Sequence, residues 1–360
     1  MTFRILALPG DGIGPEVVAS ARKVMNALAL KSGWRFSWQE ALIGGAAIEA
    51  EGVPLPDRTL EAALDADAVL LGAVGGPAWD GLPGHLRPER GLLQLRRALG
   101  TFANLRPIRS HSVLAARTPL KSEIVSGTDM LFVRELTGGL YFGEKGQDAR
   151  GAYDVCRYTE SEIARVVRLA ARLAACRRGH LTLIDKANVL ETSRLWRRVA
   201  KRVLAEEFPD LAFDIQLVDA AAMRLIQAPR SFDVIVTENL FGDILTDEAS
   251  VLAGSIGLIP SASLGEEGMP GIYEPVHGSA PDIAGTGRAN PIGMIASCAL
   301  MLEWSAKRSD LARLVEEAIA HTLADGVLPP DLGGVAETTH VTDAVIGHLA
   351  SLSQPAPAPC

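Results

Sequence analysis

Short apolar runs rich in β-branched residues alternate, along most of the chain, with longer segments whose apolar residues recur every three or four positions. Nothing else in the sequence constrains the fold as much. "RILALPG", "DAVLLGAVGG", "HLTLID" and "FDVIVTENL" each read as a buried strand. Between them, "PEVVASARKVMNALAL" sets Val17, Ala21, Val24, Met25 and Leu28 on one helical face, with Pro15 suited to a first turn. "TESEIARVVRLAARLAACRRG" opens on a capping box, Thr159 and Glu162, and closes on Arg177, Arg178 and Gly179. "SRLWRRVAKRVLAEEF" and "LARLVEEAIAHTL" are further helices of this kind. Such alternation predicts an α/β fold with a largely parallel sheet. A chain of 360 residues, 48% of them hydrophobic, is long enough for about two domains. One stretch, "GGLYFGEKGQDARGAYDVCRYTE" (138–160), has no helical period and predicts an extended hairpin arm of the sort that serves a partner subunit. The closing "SQPAPAPC" predicts a loose tail.

Charge and cysteine usage narrow the function classes. A formal net charge of -8 argues against a nucleic-acid partner. Cys156, Cys176, Cys298 and Cys360 form no C-x-x-C pair, so neither structural zinc nor a disulfide framework is expected, which fits a reducing compartment. The first strand begins at once, without a leader pattern, and no apolar run approaches the roughly 20 residues of a membrane span. A cytoplasmic protein with no membrane partner is expected.

Five features could carry chemistry. "GDGIGPEV", Gly10 to Val17, is a glycine turn between a strand and a helix, but G-x-G-x-G is not the dinucleotide fingerprint, and "GWRFSWQE" offers no clear ribose-binding acid. A standard Rossmann site is therefore rejected. Arg96 in "GLLQLRR", Arg106 in "FANLRP" and Arg134 in "FVRELTGG" sit in apolar company without a local acid. One such arginine is more often a structural ion pair; three point to a dicarboxylate ligand, which guanidinium grips in bidentate fashion. Lys186, in "IDKANVL", ends a predicted strand and so faces the crevice where open α/β sheets bind ligands. Tyr141, in "GGLYFG", is a second candidate for proton transfer, though a lone tyrosine more often packs.

In "TENLFGDILTDEAS", Asp243 and Asp247 lie four apart on one helical face, where like charges repel. With Asp219 in "QLVDAAAMRLI" they make an all-oxygen set suited to Mg²⁺ or Mn²⁺; the plainer reading is a solvated acidic face. Finally, "EPVHGSAPDIAGTGRANP" places His277, Asp282 and Asn290 on an irregular loop, which either holds a nucleotide or is simply surface.

Taken in order, these segments resemble the β-decarboxylating dehydrogenases of 2-hydroxy acids, the isocitrate/isopropylmalate dehydrogenase family. The likeness runs from "GDGIGPEV" through "AVGGPAWDGLP", "GLLQLR", "FANLRP", "VRELTGGLYFGE", "DKANVL", "VDAAAM", "FGDILTDEAS" and "GSIGLIPSASLG" to "YEPVHGSAPDIAG". It implies two domains sharing a mixed, largely parallel sheet: a discontinuous cofactor-binding domain, 1–101 and 254–360, and a substrate, metal and dimerisation domain, 102–253, with its arm at 138–160. It implies that Arg96, Arg106 and Arg134 hold the substrate carboxylates and that Asp219, Asp243 and Asp247 ligate Mg²⁺ or Mn²⁺. Asp219 and Lys186 would come from the second subunit of a homodimer with shared sites. Lys186 would help take the hydroxyl proton, and Tyr141 would protonate the product.

The cofactor would lie against His277, Gly278, Ser279, Ala280, Asp282, Ile283 and Asn290, near Ile13, Gly75 and Gly76. A carboxylate at Asp282 accepts bonds from a ribose 2′-hydroxyl and repels a 2′-phosphate, which favours NAD. Glu89, Leu92 and Leu93 occupy the segment that meets the substrate's variable group, and adjacent leucines suit an isopropyl. Thr101 and Gln94 depart from the family's usual residues without touching these roles. The expected reaction is oxidative decarboxylation of 3-isopropylmalate to 4-methyl-2-oxopentanoate, in leucine biosynthesis; tartrate, malate or homoisocitrate is the alternative substrate. A silent regulatory relative would lose a metal ligand or the lysine, and here every position is filled.

Overall fold

A computed structural model describes residues 2–353. The tail from residue 354, where a loose end is expected, lies outside the described residues. The chain divides into two compact units, one made of the chain up to Thr101 together with the chain from Gly254 onward, the other of Phe102–Ala253.

The described residues form twelve strands. In chain order these are β1 (Thr2–Gly10), β2 (Arg35–Glu40), β3 (Ala68–Ala73), β4 (Ala103–Arg109), β5 (Asp129–Glu135) and β6 (Lys145–Gln147). Then come β7 (Ala152–Asp154), β8 (His180–Asp185), β9 (Ala212–Leu217), β10 (Val234–Thr237), β11 (Pro260–Leu264) and β12 (Gly271–Pro275). The fold is α/β, and ten of these strands, five in each unit, form mixed and mostly parallel sheet. In the first unit the order is β2-β1-β3-β12-β11, parallel except that β11 runs against β12. In the second it is β4-β5-β10-β8-β9, parallel except that β4 runs against β5.

Burial explains why the apolar runs became strands. All six residues of β3 are buried, as required of a parallel strand covered on both faces. Leu6, Leu8, Val69, Leu71 and Ile272 share a core with Ile43, Leu55, Ala63, Leu95 and Leu99. The helix Gly14–Ser32 carries Pro15 in its first turn, buries Val17, Ala21, Val24, Met25 and Leu28, and stops at Gly33, whose φ of 73° is left-handed. Thr159 and Glu162 close the capping box ahead of the helix Glu160–Ala175. No helix among the described residues is long and apolar enough to cross a membrane.

The departures from the sequence pattern are physical too. The antiparallel members β4, β5, β11 and β12 carry no alternation with helices and are legible only once paired. "RFSWQE" does become a strand, β2, whose Phe36 joins an aromatic cluster with Phe3 and Trp34. Its terminal Glu40 lies 3.8 Å from Arg22. The stretch 138–160 contains the two-stranded antiparallel ribbon of β6 and β7.

The glycine turn shows where a fingerprint fails. A Cβ on Gly12, whose φ is 57°, would stand 1.9 Å from the Ser279 carbonyl oxygen, and Ile13 N donates to that same oxygen at 2.8 Å. The close approach that a dinucleotide fingerprint reserves for pyrophosphate is taken here by the chain's own backbone.

In the second unit Arg177 ties β5 to the residue that leads into β10. It donates to Asp129 at 2.8 Å and to the buried Asp233 at 2.9 Å. Burial pushes the Asp129 carboxyl up, but the hydrogen bond and charge of Arg177 outweigh it and the net shift is down. Arg177→Met is therefore expected to remove about 3 kcal/mol of stability at neutral pH, allowing for the half-exposed Asp129. A carboxyl depressed in the fold stabilises fully above its ordinary value of 3.8 and loses that contribution as pH falls through the folded value below it. Urea unfolding of parent and variant should thus converge in strong acid, and an undiminished gap there would contradict the assignment.

Candidate active site

The helix Asn239–Ser250 organises the second unit's chemistry. Its first turn is capped by Glu238, which accepts from Phe241 N at 2.8 Å. Gly242, Leu245, Thr246 and Ala249 are buried. Asp243 and Asp247, one turn apart, stand on one side. Strands β4 and β5 pair so that Asn104 lies opposite Arg134. With a period of two, Asn104, Arg106 and Arg134 share a face of the sheet.

The repulsion between the two aspartates is offset by the protein itself. Arg106, 6% exposed, lies 3.4 Å from Asp243 and 3.6 Å from Asp247. Arg134, 2% exposed, pairs with Asp243 through Nη1. Tyr141 donates to Asp243 Oδ2 at 2.6 Å, and the Arg134 guanidinium sits 5.5 Å from its ring centroid. Burial, then the Asp243 hydrogen bond and charge, push the Tyr141 phenol up to about 12, so it keeps its proton at neutral pH. Asp247 remains raised by partial burial first; Arg106 opposes this and Asp243 adds to it. Residual repulsion between hard oxygen donors is what a divalent cation relieves, so this pair fits Mg²⁺ or Mn²⁺. Among the described residues no three His, Cys, Asp or Glu side chains gather into a complete metal cluster.

Asp219 and Lys186 are brought together with each other, not into that group. Lys186, just past β8, donates to Asp219 at 2.8 Å, and this bond holds the Asp219 carboxyl below its ordinary range. The lysine's backbone is fixed: its N–H donates to Ser193 Oγ at 3.1 Å, and the buried Asp185 before it takes a two-point contact from Arg197.

The remaining candidates belong to the first unit. Arg96 is not without an acid, as its local sequence suggests: it donates to Glu274 at 2.8 Å, and both side chains are buried. The acid lies on β12, remote in sequence, and so is invisible to a local reading. Thr101, buried, donates to the Arg96 carbonyl. Glu89 is exposed and its carboxylate leans over Gly75, whose φ is 101°. Leu92 rests partly on the core, while Leu93 is half-exposed. Asp11 accepts from the backbone N–H groups of Gly45, Ala46 and Gly75, each at 2.8 Å, and so fixes the Gly75–Gly76 turn.

On the loop from His277 to Asn290, Gly278 and Asp282 are exposed, Ser279 is buried, and Ala280 holds a positive φ of 38°. Ile283 is half-buried and Ile13 is buried. His277 faces the Gly278 carbonyl at 2.9 Å. Asn290 has both ends of its amide engaged, Nδ2 to Asp331 and Oδ1 to Ile292 N, each at 3.0 Å. Those bonds make it a brace for the loop.

Comparison with known proteins gives this arrangement its context. The family model for isocitrate/isopropylmalate dehydrogenase matches residues 4–345. The chain belongs to the isocitrate/isopropylmalate dehydrogenase family. It is therefore a dehydrogenase. It is 53% identical to the 3-isopropylmalate dehydrogenase of Halalkalibacterium halodurans over 96% of this chain and 97% of that one. It is 52% identical to that of Rhodopirellula baltica, covering 98% and 100%. Among solved structures, isocitrate dehydrogenase from Methylococcus capsulatus superposes with a TM-score of 0.86 at 35% identity, covering 96% of this chain and 99% of that one. A β-decarboxylating dehydrogenase from Thermococcus kodakarensis gives 0.79 at 37%, covering 97% and 96%.

Sequence reasoning missed Asn104, Asn239, Glu238 and Glu274. Asn104 had a signal, since a polar residue two before a buried arginine on a strand shares its face. Glu238 caps its own helix, and Asn239 and Glu274 act through contacts between distant segments. One close approach is testable. A Cβ on Gly242 would lie 2.7 Å from Arg134 Cγ. Gly242→Ala should gain about 1 kcal/mol of helix propensity and lose about 1–3 kcal/mol to overpacking. Net destabilisation in chemical denaturation is expected; a more stable variant would show that Arg134 is not pinned there.

Proposed function

We propose that this dehydrogenase catalyses NAD-dependent oxidative decarboxylation of 3-isopropylmalate to 4-methyl-2-oxopentanoate and CO₂, as a cytoplasmic homodimer in leucine biosynthesis. The observation that carries the reading is the pair of buried guanidinium groups, Arg106 and Arg134, converging with the two carboxylates of one helix and with the protonated phenol of Tyr141. That is a receptor for a small anion with a proton donor beside it. Identity above 50% to relatives bearing the 3-isopropylmalate name points to the substrate.

Arg106 and Arg134, with Arg96 as third guanidinium, are assigned to the two substrate carboxylates. Asp243 and Asp247, completed by the partner subunit's Asp219, are assigned to Mg²⁺ or Mn²⁺. When bound, the ion supplies Lewis-acid polarisation of the substrate's hydroxyl and carboxylate oxygens. Bound NAD supplies the hydride acceptor, and the loop His277–Asn290 with Ile13, Gly75 and Gly76 is assigned to it. Exposed Asp282 disfavours a 2′-phosphate there by charge, so NAD is preferred to NADP.

Lys186 of the partner subunit is assigned to accept the hydroxyl proton as the alcohol is oxidised. Its pairing with Asp219 in one chain supports their serving as one unit. Loss of CO₂ leaves an enolate, and Tyr141, which holds its proton well above neutral pH, is assigned to protonate it. Leu92 and Leu93, with Glu89 beside them, are assigned to the substrate's alkyl group.

The test is NADH absorbance together with CO₂ release from 3-isopropylmalate and from malate, with Mn²⁺ present. Faster turnover of malate would overturn the substrate assignment. Asp243→Asn should lower metal-dependent turnover by at least about a hundredfold while the fold persists. Lys186→Met should abolish oxidation, and near-parental NADH formation would remove it from the mechanism.

A further inference from the structure

Both buried arginines are aimed in the same manner. Each has its Nε on the oxygen of a buried, neutral carboxamide. Arg106 Nε donates to Asn104 Oδ1 at 2.7 Å, and Arg134 donates to Asn239 Oδ1 through both Nε, at 3.0 Å, and Nη2, at 2.8 Å. Asn104 and Asn239 are each 0% exposed. Thr246 adds a second neutral oxygen to Arg106. The carboxylates of Asp243 and Asp247 meet these guanidinium groups at terminal Nη atoms.

Asn239 does more than hold one arginine. Its Nδ2 donates to the Gly138 carbonyl at 3.2 Å, at the turn that leads into Gly139–Tyr141. Its backbone N–H donates to Tyr158 OH at 3.0 Å, and that hydroxyl lies 3.1 Å from Glu238 Oε2. One amide therefore sets the Arg134 plane and braces the segment carrying Tyr141.

From this geometry we infer that Asn104 and Asn239 are positioning residues, chosen for neutrality as much as for shape. An aspartate at either place would hold the guanidinium at least as firmly. It would also add a negative charge to a group that already contains Asp243 and Asp247, and a diacid would then meet a guanidinium pair whose charge is spent. A carboxamide orients without neutralising, and the shortage of positive charge makes that difference matter. The inference rests on the reading of Arg106 and Arg134 as carboxylate receptors.

The test uses Asn239→Asp and Asn104→Asp, with Arg134→Gln for reference, in the full-length protein. Binding of 3-isopropylmalate is measured by titration calorimetry at fixed Mg²⁺ without nucleotide, beside KM, kcat and thermal midpoint. Each aspartate variant should weaken binding and raise KM by about tenfold or more, as expected for a charge set against a charge-assisted contact, with a smaller change in kcat. Affinity within about twofold of the parent in the folded variants, whatever happens to the thermal midpoint, would reduce both residues to structural props and overturn the inference. Asn104→Asp leaves the Gly138 brace intact, so it decides the matter if Asn239→Asp does not fold. If Arg134→Gln weakens binding and the aspartate variants do not, the carboxylate-receptor reading stands and this inference falls. If Arg134→Gln binds as the parent does, the receptor reading itself fails.

Discussion

The second unit is arranged around two positive groups that have almost no water to keep them charged. A guanidinium buried to a few per cent exposure is tolerable only where its donors are met, and here the partners come from β4 and the helix Asn239–Ser250. Breaking a buried pair from one side leaves an uncompensated charge, which costs far more than forming the pair contributes. Strand pairing, helix position and side-chain conformation are thereby tied to one another. The Gly242 contact is the steric side of the same constraint: the helix sits as near to Arg134 as a residue without a side chain allows.

Much of the fold was legible because parallel strands and their covering helices write strong periodic patterns. β3, β8 and β10 fall within the apolar runs and β1 overlaps one, and the helix Glu160–Ala175 begins on the capping box its sequence announces but ends at Ala175, before the expected Arg177, Arg178 and Gly179. The antiparallel pairs β4–β5 and β11–β12 were not read, since no covering helix between their strands marks them, whereas the ribbon β6–β7 lies in the stretch 138–160 read as an arm. β2 shows a different limit, being an edge strand whose aromatic side chains pack on one another.

For the site, residue types were readable and partnerships were not. Asp243 and Asp247 announced a need for positive charge, yet the sequence could not say that Arg106 would stand within reach of both. Arg96 appeared to lack an acid because Glu274 is distant in sequence and adjacent in space. Asn290 read as a ligand-facing amide, and its bonds to Asp331 and Ile292 N, which brace the loop, lie with residues its own segment does not announce. The Asp219–Lys186 pair could be read as two functional residues and not as one contact.

The glycine turn after β1 carries a consequence for how sequences of this kind can diverge. Its second glycine presses on the Ser279 carbonyl, and the neighbouring N–H of Ile13 bonds the same oxygen. A side chain at position 12 would have to push aside a loop encoded near the other end of the message. Two stretches separated by most of the reading frame therefore share one mutational fate, and drift in either is checked by the other.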